Sequence, residues 1–151
     1  SQKIKQLITL ANNSFSINNK YIDIIQSGEM ESVASALETD ADAIVMDERT
    51  LRLFIENSSE MTHLLKIRFH KDINANPENI KNFTQQLSKI KIIRSVELIA
   101  IAYKMGMLDS YISKEIKNGK EILLDSVLWA AKTNGCAATG EEIEQIKKYL
   151  L

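Results

Sequence analysis

The sequence predicts a helix-rich α/β fold in which helices flank a small parallel sheet. Residues 43–46 form a short apolar run that is typical of a buried strand, and residues 90–93, which are isoleucines except for Lys91, offer a second short strand. Each run stands between segments whose apolar residues repeat at helical spacing, and this alternation of helix and strand is typical of α/β folds. The chain contains no evident linker or internal repeat, so we expect a single domain over residues 1–151.

The first half of the chain is predicted to begin with helices at residues 4–11 and 18–26. A third helix is predicted at residues 29–38, where apolar residues follow the i, i+3, i+4, i+7 spacing of an amphipathic helix. Polar residues do not interrupt the run at 43–46, which predicts a strand that is buried on both faces. A further helix is predicted to follow it, with Leu51 on its apolar side.

The middle of the chain contains one ambiguous stretch and one clear helix start. Residues 61–70 fit either a strand or a helix, and we favour a helix. Asn76 followed by Pro77 is a strong start signal, because asparagine is a good N-cap and proline suits the first helical position.

The remaining third is predicted to be helical. After the strand at 90–93, a helix opens at Ser95 and ends at Gly106. This helix is apolar almost all round, which predicts that it is buried. Three more helices are predicted, and Thr139 with Glu142 forms a capping box at the start of the last one. Their ranges are 110–117, 121–133 and 139–150.

Composition and charge describe a soluble protein with no global attraction to nucleic acid. The hydrophobic share is 44%, the charged share is 26%, and the formal net charge is −1. RNA or DNA binding would therefore need a local basic patch. Cys136 is the sole cysteine, which excludes an internal disulfide and favours a reducing compartment, so we expect a cytoplasmic protein.

Acidic residues are placed where an α/β fold binds its ligand. Asp47 directly follows the strand at 43–46, and ligands bind outside the carboxyl ends of parallel strands. Glu29 and Glu31 open the preceding helix, which should run antiparallel to the strand and so begin near its end. Converging carboxylates suit a hard cation such as Mg²⁺, which can activate water for attack on a phosphodiester.

A purely structural interpretation of the same acids stays open. Asp47 could cap the helix that follows it, since aspartate is a preferred N-cap. Glu29 and Glu31 could complement the positive end of their helix dipole. In that case the chain would be a helix-rich interaction domain without a metal site.

Two sequence blocks resemble the PIN-domain family. The first, residues 28–50, contains GEMESVASA followed by DAIVMDER, and the second, residues 92–108, is IIRSVELIAIAYKMGML. The family shows a GEAEAIALA-like helix, a short strand, an aspartate and an arginine-bearing helix. It comprises ribonucleases dependent on Mg²⁺ or Mn²⁺, many of them toxins of toxin–antitoxin pairs, and its members often form dimers. The resemblance therefore implies a PIN-like ribonuclease with an RNA substrate, an antitoxin or other protein partner, and a homodimeric state.

The resemblance also assigns roles to individual residues. It implies that Asp47 and Glu31 are the catalytic metal ligands, with Glu29 as a further ligand or as the alternative to Glu31. Glu48 is a supporting candidate, and Arg49 would contact a phosphate. Glu97 could supply another acid or could simply favour the start of its helix.

Basic residues supply a second nucleic-acid candidate. Lys66 and Arg68 lie in the densest basic cluster and could contact an RNA backbone. On composition alone we favour a solvated helix face there, because Phe69 is the only aromatic residue among them.

The chain departs from the family pattern in its first part. The family begins with a strand that ends in an aspartate, whereas no acidic residue precedes Asp23 here. The chain also begins at Ser1 without a methionine. It is therefore either the C-terminal part of a longer protein or a non-catalytic PIN-like module, binding RNA or protein, whose metal site is incomplete. By the same comparison, residues 56–89 are an insertion and residues 109–151 a helical extension.

Overall fold

The computed structural model describes residues 2–151 and shows a mixed α/β protein that is 62% helical. Its contacts divide the chain into two compact units. The first unit comprises the chain up to Ile44 together with Arg49–Ile92, and the second comprises Val45–Glu48 together with Ile93–Leu151. None of the described helices is long and apolar enough to cross a membrane.

The first unit carries most of the predicted helices. The helices predicted around residues 4–11, 29–38 and 51 are confirmed, and so is the helix favoured at residues 61–70. The predicted N-cap at Asn76 is also confirmed, because its side chain accepts hydrogen bonds from the backbone N–H groups of Glu78 and Asn79. The elements with residues in this unit are α1 (Gln2–Asn12), β1 (Phe15–Ile17), β2 (Lys20–Tyr21), α2 (Ser27–Glu38), β3 (Ala43–Val45), α3 (Arg49–Glu56), α4 (Ser58–Phe69), β4 (Asn74–Ala75), α5 (Pro77–Leu87) and β5 (Lys91–Ile93).

A hairpin replaces the helix predicted at residues 18–26, so that prediction is wrong. Strands β1 and β2 pair antiparallel, and β4 pairs antiparallel with the other side of β1. The two turn residues, Asn18 and Asn19, have φ values of 48° and 62°. A two-residue type I′ turn requires positive φ at both positions, and asparagine tolerates this conformation better than most residues.

The side chain of Asn12 explains why the chain stays extended after the hairpin. Its Oδ1 accepts hydrogen bonds from the backbone N–H groups of Ile24 (3.0 Å) and Ile25 (3.1 Å). Both isoleucines are buried. A helix over residues 18–26 would have withdrawn these N–H groups into its own ladder, so the side-chain bonds and the burial compete successfully with it.

An aromatic cluster forms the centre of the first unit. Phe15, Phe54 and Phe83 are fully buried and come from β1, α3 and α5. The ring centroids of Phe15 and Phe54 lie 5.2 Å apart, edge to face, and those of Phe54 and Phe83 lie 4.4 Å apart and stacked. Such pairs contribute about 0.5–1.5 kcal/mol beyond their buried area, so this cluster joins three elements distant in sequence.

The predicted parallel sheet is present but consists of two strands, β3 and β5. Directly after β3, the N–H of Met46 donates to the carbonyl of Ile93, the last residue of β5, at 2.9 Å. The expectation that β3 is buried on both faces is wrong, because Val45 is 53% exposed. An uninterrupted apolar run signals burial only in a broad sheet with helices on both faces, and this sheet is too small to provide that cover.

The second unit is helical. Its elements are α6 (Ser95–Lys104), a 3₁₀ turn at Asp109–Tyr111, α7 (Gly119–Thr133) and α8 (Gly140–Leu150). The capping box of α8 is confirmed: Glu142 N–H donates to Thr139 Oγ1 at 3.1 Å, and Thr139 N–H donates to Glu142 Oε2 at 2.7 Å. The helix predicted at residues 110–117 is wrong, since only the 3₁₀ turn forms there. The segment at residues 110–117 is short and mostly polar, so it has little apolar surface that could stabilise a helix by packing.

The expectation that α6 is buried is also wrong. Val96 packs into a core with Leu124, Leu128 and Ile143, and all four are fully buried. The opposite side of the helix is open, however, with Leu98 and Ile101 each 46% exposed. The main contacts of α6 are with α7 and α8, and the side of this apolar helix that faces away from them stays exposed.

Candidate acidic site after strand β3

Asp47 lies two residues beyond β3, and its carboxylate is bound to the first residue of α6. Oδ1 accepts the backbone N–H of Ser95 at 2.7 Å, and Oδ2 accepts the Ser95 hydroxyl at 2.5 Å. The N-terminal N–H groups of a helix lack partners within the helix and favour a negative charge. Asp47 therefore satisfies one of these donors and complements the helix dipole of α6.

These bonds keep Asp47 ionised. Partial burial raises the pKa of the Asp47 carboxyl, but the Ser95 hydroxyl and N–H, with smaller help from the Cys136 thiol and Arg94, outweigh it and hold the pKa below its ordinary value. The residue is only half-buried. A charged carboxylate is thus fixed in place and still reachable from solvent at neutral pH.

The α7–α8 connection contacts Asp47 from a second direction. The N–H of Ala137 donates to the Asp47 carbonyl at 3.2 Å. Burial, followed by the hydrogen bond to Asp47, raises the pKa of the Cys136 thiol, so the thiol stays protonated and donates to the carboxylate. Cys136 is accordingly a small buried hydrogen-bond donor.

Arg94 holds the starts of α6 and α8 together. Its guanidinium is buried and donates to Glu97 through Nε (2.8 Å) and Nη2, to Glu142 Oε1 through Nη1 (3.0 Å), and to the Ala137 carbonyl (3.0 Å). The bonds to Glu97 exceed the effect of burial and raise the pKa of Arg94. Removing one partner of such a cluster is strongly destabilising, because it leaves a buried charge uncompensated.

Glu97 takes part in the start of its helix, and its role as a further acid of the site stays a prediction. Its carboxylate accepts the Arg94 backbone N–H at 2.6 Å in addition to the guanidinium bonds. Burial raises the pKa of the Glu142 carboxyl, but hydrogen bonds from the Thr139 N–H and from Arg94 lower it by more. The pKa of Glu142 therefore lies below its ordinary value. Both glutamates therefore serve Arg94 and their own helix starts.

The other sequence-predicted residues have the following positions. Glu29 is half-buried and Glu31 exposed, both near the start of α2 in the first unit, whereas Asp47 and half-buried Glu48 belong to the second. Arg49 is exposed at the start of α3. Two further cations lie in the last turn of α4, where Lys66 Nζ is 3.5 Å from Asp72 and Arg68 donates to the Thr50 hydroxyl at 3.4 Å.

The donor set at Asp47 limits the kind of metal site that it could form. Each carboxylate oxygen of Asp47 accepts one bond from Ser95, and the Cys136 thiol is a third donor, so about one of the four lone-pair sites of the carboxylate stays open. Across residues 2–151, no group of three or more His, Cys, Asp or Glu side chains is arranged to hold a metal ion. Mg²⁺ is usually bound by one or two carboxylates with water and substrate phosphate, and a single open carboxylate fits that mode.

Ser95 and Arg94 are the residues that the sequence interpretation missed. A local signal existed, because Arg94 and Glu97 stand at the N-cap and N3 positions of α6, as in a capping box. The contacts of Arg94 with Ala137 and Glu142 have no such signal, since they join residues 43 and 48 positions apart.

Comparison of the chain with models of protein families, with curated proteins and with solved structures gives no match.

Proposed function

We propose that this protein is a PIN-like ribonuclease that hydrolyses RNA phosphodiester bonds with Mg²⁺ or Mn²⁺. The observation that carries the proposal is the Asp47 carboxylate: it follows a strand of a parallel pair, is held ionised by the start of α6, and remains open to solvent. The sequence blocks at 28–50 and 92–108 add the resemblance to PIN domains. The single buried cysteine is consistent with a cytoplasmic setting.

The proposed roles follow from the chemistry of each side chain. Asp47 would ligate the cation, and Glu31, with Glu29 as a further or alternative ligand, would complete the acidic set that the resemblance implies. When bound, the cation supplies water activation and charge stabilisation at the phosphate. Ser95 orients the Asp47 carboxylate through two hydrogen bonds, so that its remaining lone pair keeps a fixed direction.

The cationic residues would hold the RNA backbone. Arg49, Lys66 and Arg68 are all exposed. Contacts of arginine or lysine with phosphate position a nucleic acid without reading its sequence. This patch would therefore provide affinity and the acidic residues would provide chemistry.

A second candidate function is a non-catalytic PIN-like module that binds RNA or a protein partner. The observation in its favour is that the Asp47 carboxylate already accepts three hydrogen bonds, from the Ser95 N–H, the Ser95 hydroxyl and the Cys136 thiol. These bonds alone would give Asp47 a structural role. An acid that serves only to fix α6 needs no metal.

The test is cleavage of an end-labelled single-stranded RNA with Mn²⁺, Mg²⁺ or EDTA. We expect the native protein to cleave the RNA only when metal is present. We expect the Asp47→Asn and Glu31→Gln substitutions each to reduce cleavage to the level seen in EDTA. Matched controls are Asp42→Asn and Glu38→Gln, which alter exposed acids before β3 and at the end of α2. Both controls should cleave normally.

Circular dichroism of each variant separates lost chemistry from lost folding. A folded Asp47→Asn variant that cleaves as fast as the native protein would exclude Asp47 as a metal ligand. If the native protein binds the RNA but never cleaves it with either metal, the binding module is the better explanation.

A further inference from the structure

A row of three side chains crosses the sheet formed by β2, β1 and β4. Ser16 of β1 lies directly opposite Tyr21 of β2 on one side and Asn74 of β4 on the other. Directly opposed residues of antiparallel strands project from the same face of the sheet. Phe15, which precedes Ser16, is fully buried, and successive side chains of a strand point to opposite faces. The row therefore stands on the outer face, away from the aromatic cluster.

A slot opens in the middle of this row, because the serine side chain is much shorter than its two neighbours. The slot has a volume of about 380 Å³. Besides the row itself, it is lined by Ser14, Ala75, Asn76 and Pro77. Adjacent strands lie about 4.8 Å apart, so Tyr21 and Asn74 are separated by roughly 10 Å across β1. That distance leaves room for one flat ring between the two side chains.

The side chains of the row are available to a ligand, whereas the polar groups around them are already used by the fold. The Ser14 hydroxyl donates to a carbonyl of α1 at 2.6 Å, and the Asn76 side chain caps α5. Among the described residues, 2–151, no partner donates to or accepts from the side chains of the row. Tyr21 is 60% exposed, and Asn74 is exposed as well. The slot thus offers two hydroxyls and one amide, each of which can donate and accept hydrogen bonds.

We propose that this slot binds one unpaired nucleobase of an RNA strand. Tyr21 stacks on the face of the base, while Ser16 and Asn74 form hydrogen bonds with its edge. The proposal rests on the RNA substrate of the proposed function and deepens it, because the acidic residues and the cations contact only phosphates. The slot would supply the contact with a base that those residues lack.

The lining of the slot favours a base over a charged or a purely apolar ligand. Its residues are all uncharged, and they combine one exposed aromatic ring with hydrogen-bonding groups. Unpaired RNA bases have the matching chemistry, because they stack on aromatic side chains and form hydrogen bonds along their edges. An asparagine amide places a donor beside an acceptor, and such a pair can bind a base edge through two hydrogen bonds. The phosphates would stay outside the slot, where Lys20 is exposed next to Tyr21.

Fluorescence anisotropy in EDTA tests the slot with two labelled RNA strands of equal length. One is an oligoadenylate and the other has the same backbone with abasic sites, so the two carry the same phosphates. We expect Tyr21→Ala to weaken binding of the oligoadenylate at least about fivefold, the low end of the range for stacking one base, and to leave binding of the abasic strand unchanged. Tyr111→Ala is the matched control, because Tyr111 is 73% exposed in the second unit, and it should bind both strands like the native protein. Circular dichroism checks that both variants are folded.

Two further variants keep the test decisive if Tyr21→Ala does not fold. Ser16→Val fills the slot with a residue that strands favour, and it should lose the preference for the oligoadenylate. Tyr21→Phe keeps the ring and should retain that preference.

The slot and the proposed function fail in different ways. A native protein that does not prefer the oligoadenylate, including one that binds neither strand, overturns the slot, as does a preference that survives in folded Tyr21→Ala or Ser16→Val. If the protein cleaves RNA with metal and these variants bind normally, the slot alone is wrong. If the variants lose the preference and the native protein never cleaves RNA, the slot stands and the ribonuclease function is wrong.

Discussion

Asp47 combines two properties that oppose each other in most carboxylates. Its bonds to Ser95 fix the side chain, as a structural cap requires, while its exposure leaves a lone pair available to a ligand. The lowered pKa links these properties, since the same donors that fix the carboxylate also keep it charged. The residue can therefore be tested through stability as well as through activity.

The stability contribution of Asp47 should depend on pH. Because the pKa is lowered in the folded state, the contribution is fully present above the unfolded-state pKa and is lost as the pH falls through the folded-state pKa. At pH 7 we expect Asp47→Asn to lower the free energy of unfolding by about 1 kcal/mol, the scale of a hydrogen bond to a half-exposed charge. Urea denaturation of both proteins from pH 7 down to the acid transition measures the difference.

Asp42→Asn serves as the control for this titration, since it removes an exposed carboxylate nearby in sequence. It should leave the free energy of unfolding almost unchanged at every pH. A deficit in Asp47→Asn that stayed constant from pH 7 to the acid transition would show that the carboxylate charge is not what stabilises α6.

At the scale of helices and strands, local chemistry determined what the sequence could predict. The starts of α5 and α8 were predicted correctly, because an N-cap, a first-position proline and a capping box act within four residues. Asp47 was singled out for a similar reason, since it directly follows an apolar run. Whether Glu29 and Glu31 act with it is still a prediction.

The errors arose where distant contacts or solvent decide the outcome. The hairpin after β1 depends on Asn12 and on pairing with β4, which lie in other parts of the sequence. The burial of α6 depends on how many elements pack around it, and hydrophobicity does not encode that number. The contacts of Arg94 could likewise not be predicted, because one of them is with the carbonyl of Ala137, which is distant in sequence.

The hairpin turn offers a prediction at this scale. Asn19→Val should lower the free energy of unfolding by about 1–2 kcal/mol, because Asn19 has a φ of 62° and a β-branched residue is strained there. Lys20→Val is the matched control, as Lys20 is an exposed residue of β2, where valine is favoured. Urea denaturation at neutral pH compares them. Equal losses in both variants would show that the turn conformation is not the cause.

At the scale of the whole molecule, charge balance sets the terms for RNA binding. The formal net charge of −1 provides no long-range attraction, so any affinity must come from a few local contacts. Lys66 is suited to such a contact, because its partner Asp72 is fully exposed and lies 3.5 Å away. Surface ion pairs of this kind contribute little, so Lys66 can exchange the carboxylate for a phosphate at small cost.

This balance gives a quantitative expectation under the proposed function. If Arg49, Lys66 and Arg68 each neutralise one phosphate, the logarithm of the binding constant should fall with the logarithm of salt concentration with a slope of about −2, since single-stranded RNA contributes about −0.7 per contact. Lys66→Gln should make the slope shallower by about 0.7. Fluorescence anisotropy of labelled RNA in EDTA measures binding without cleavage. Lys117→Gln is the control, because Lys117 is an exposed lysine of the second unit, and it should leave the slope unchanged. If both substitutions change the slope equally, the attraction is diffuse and does not depend on a contact at Lys66.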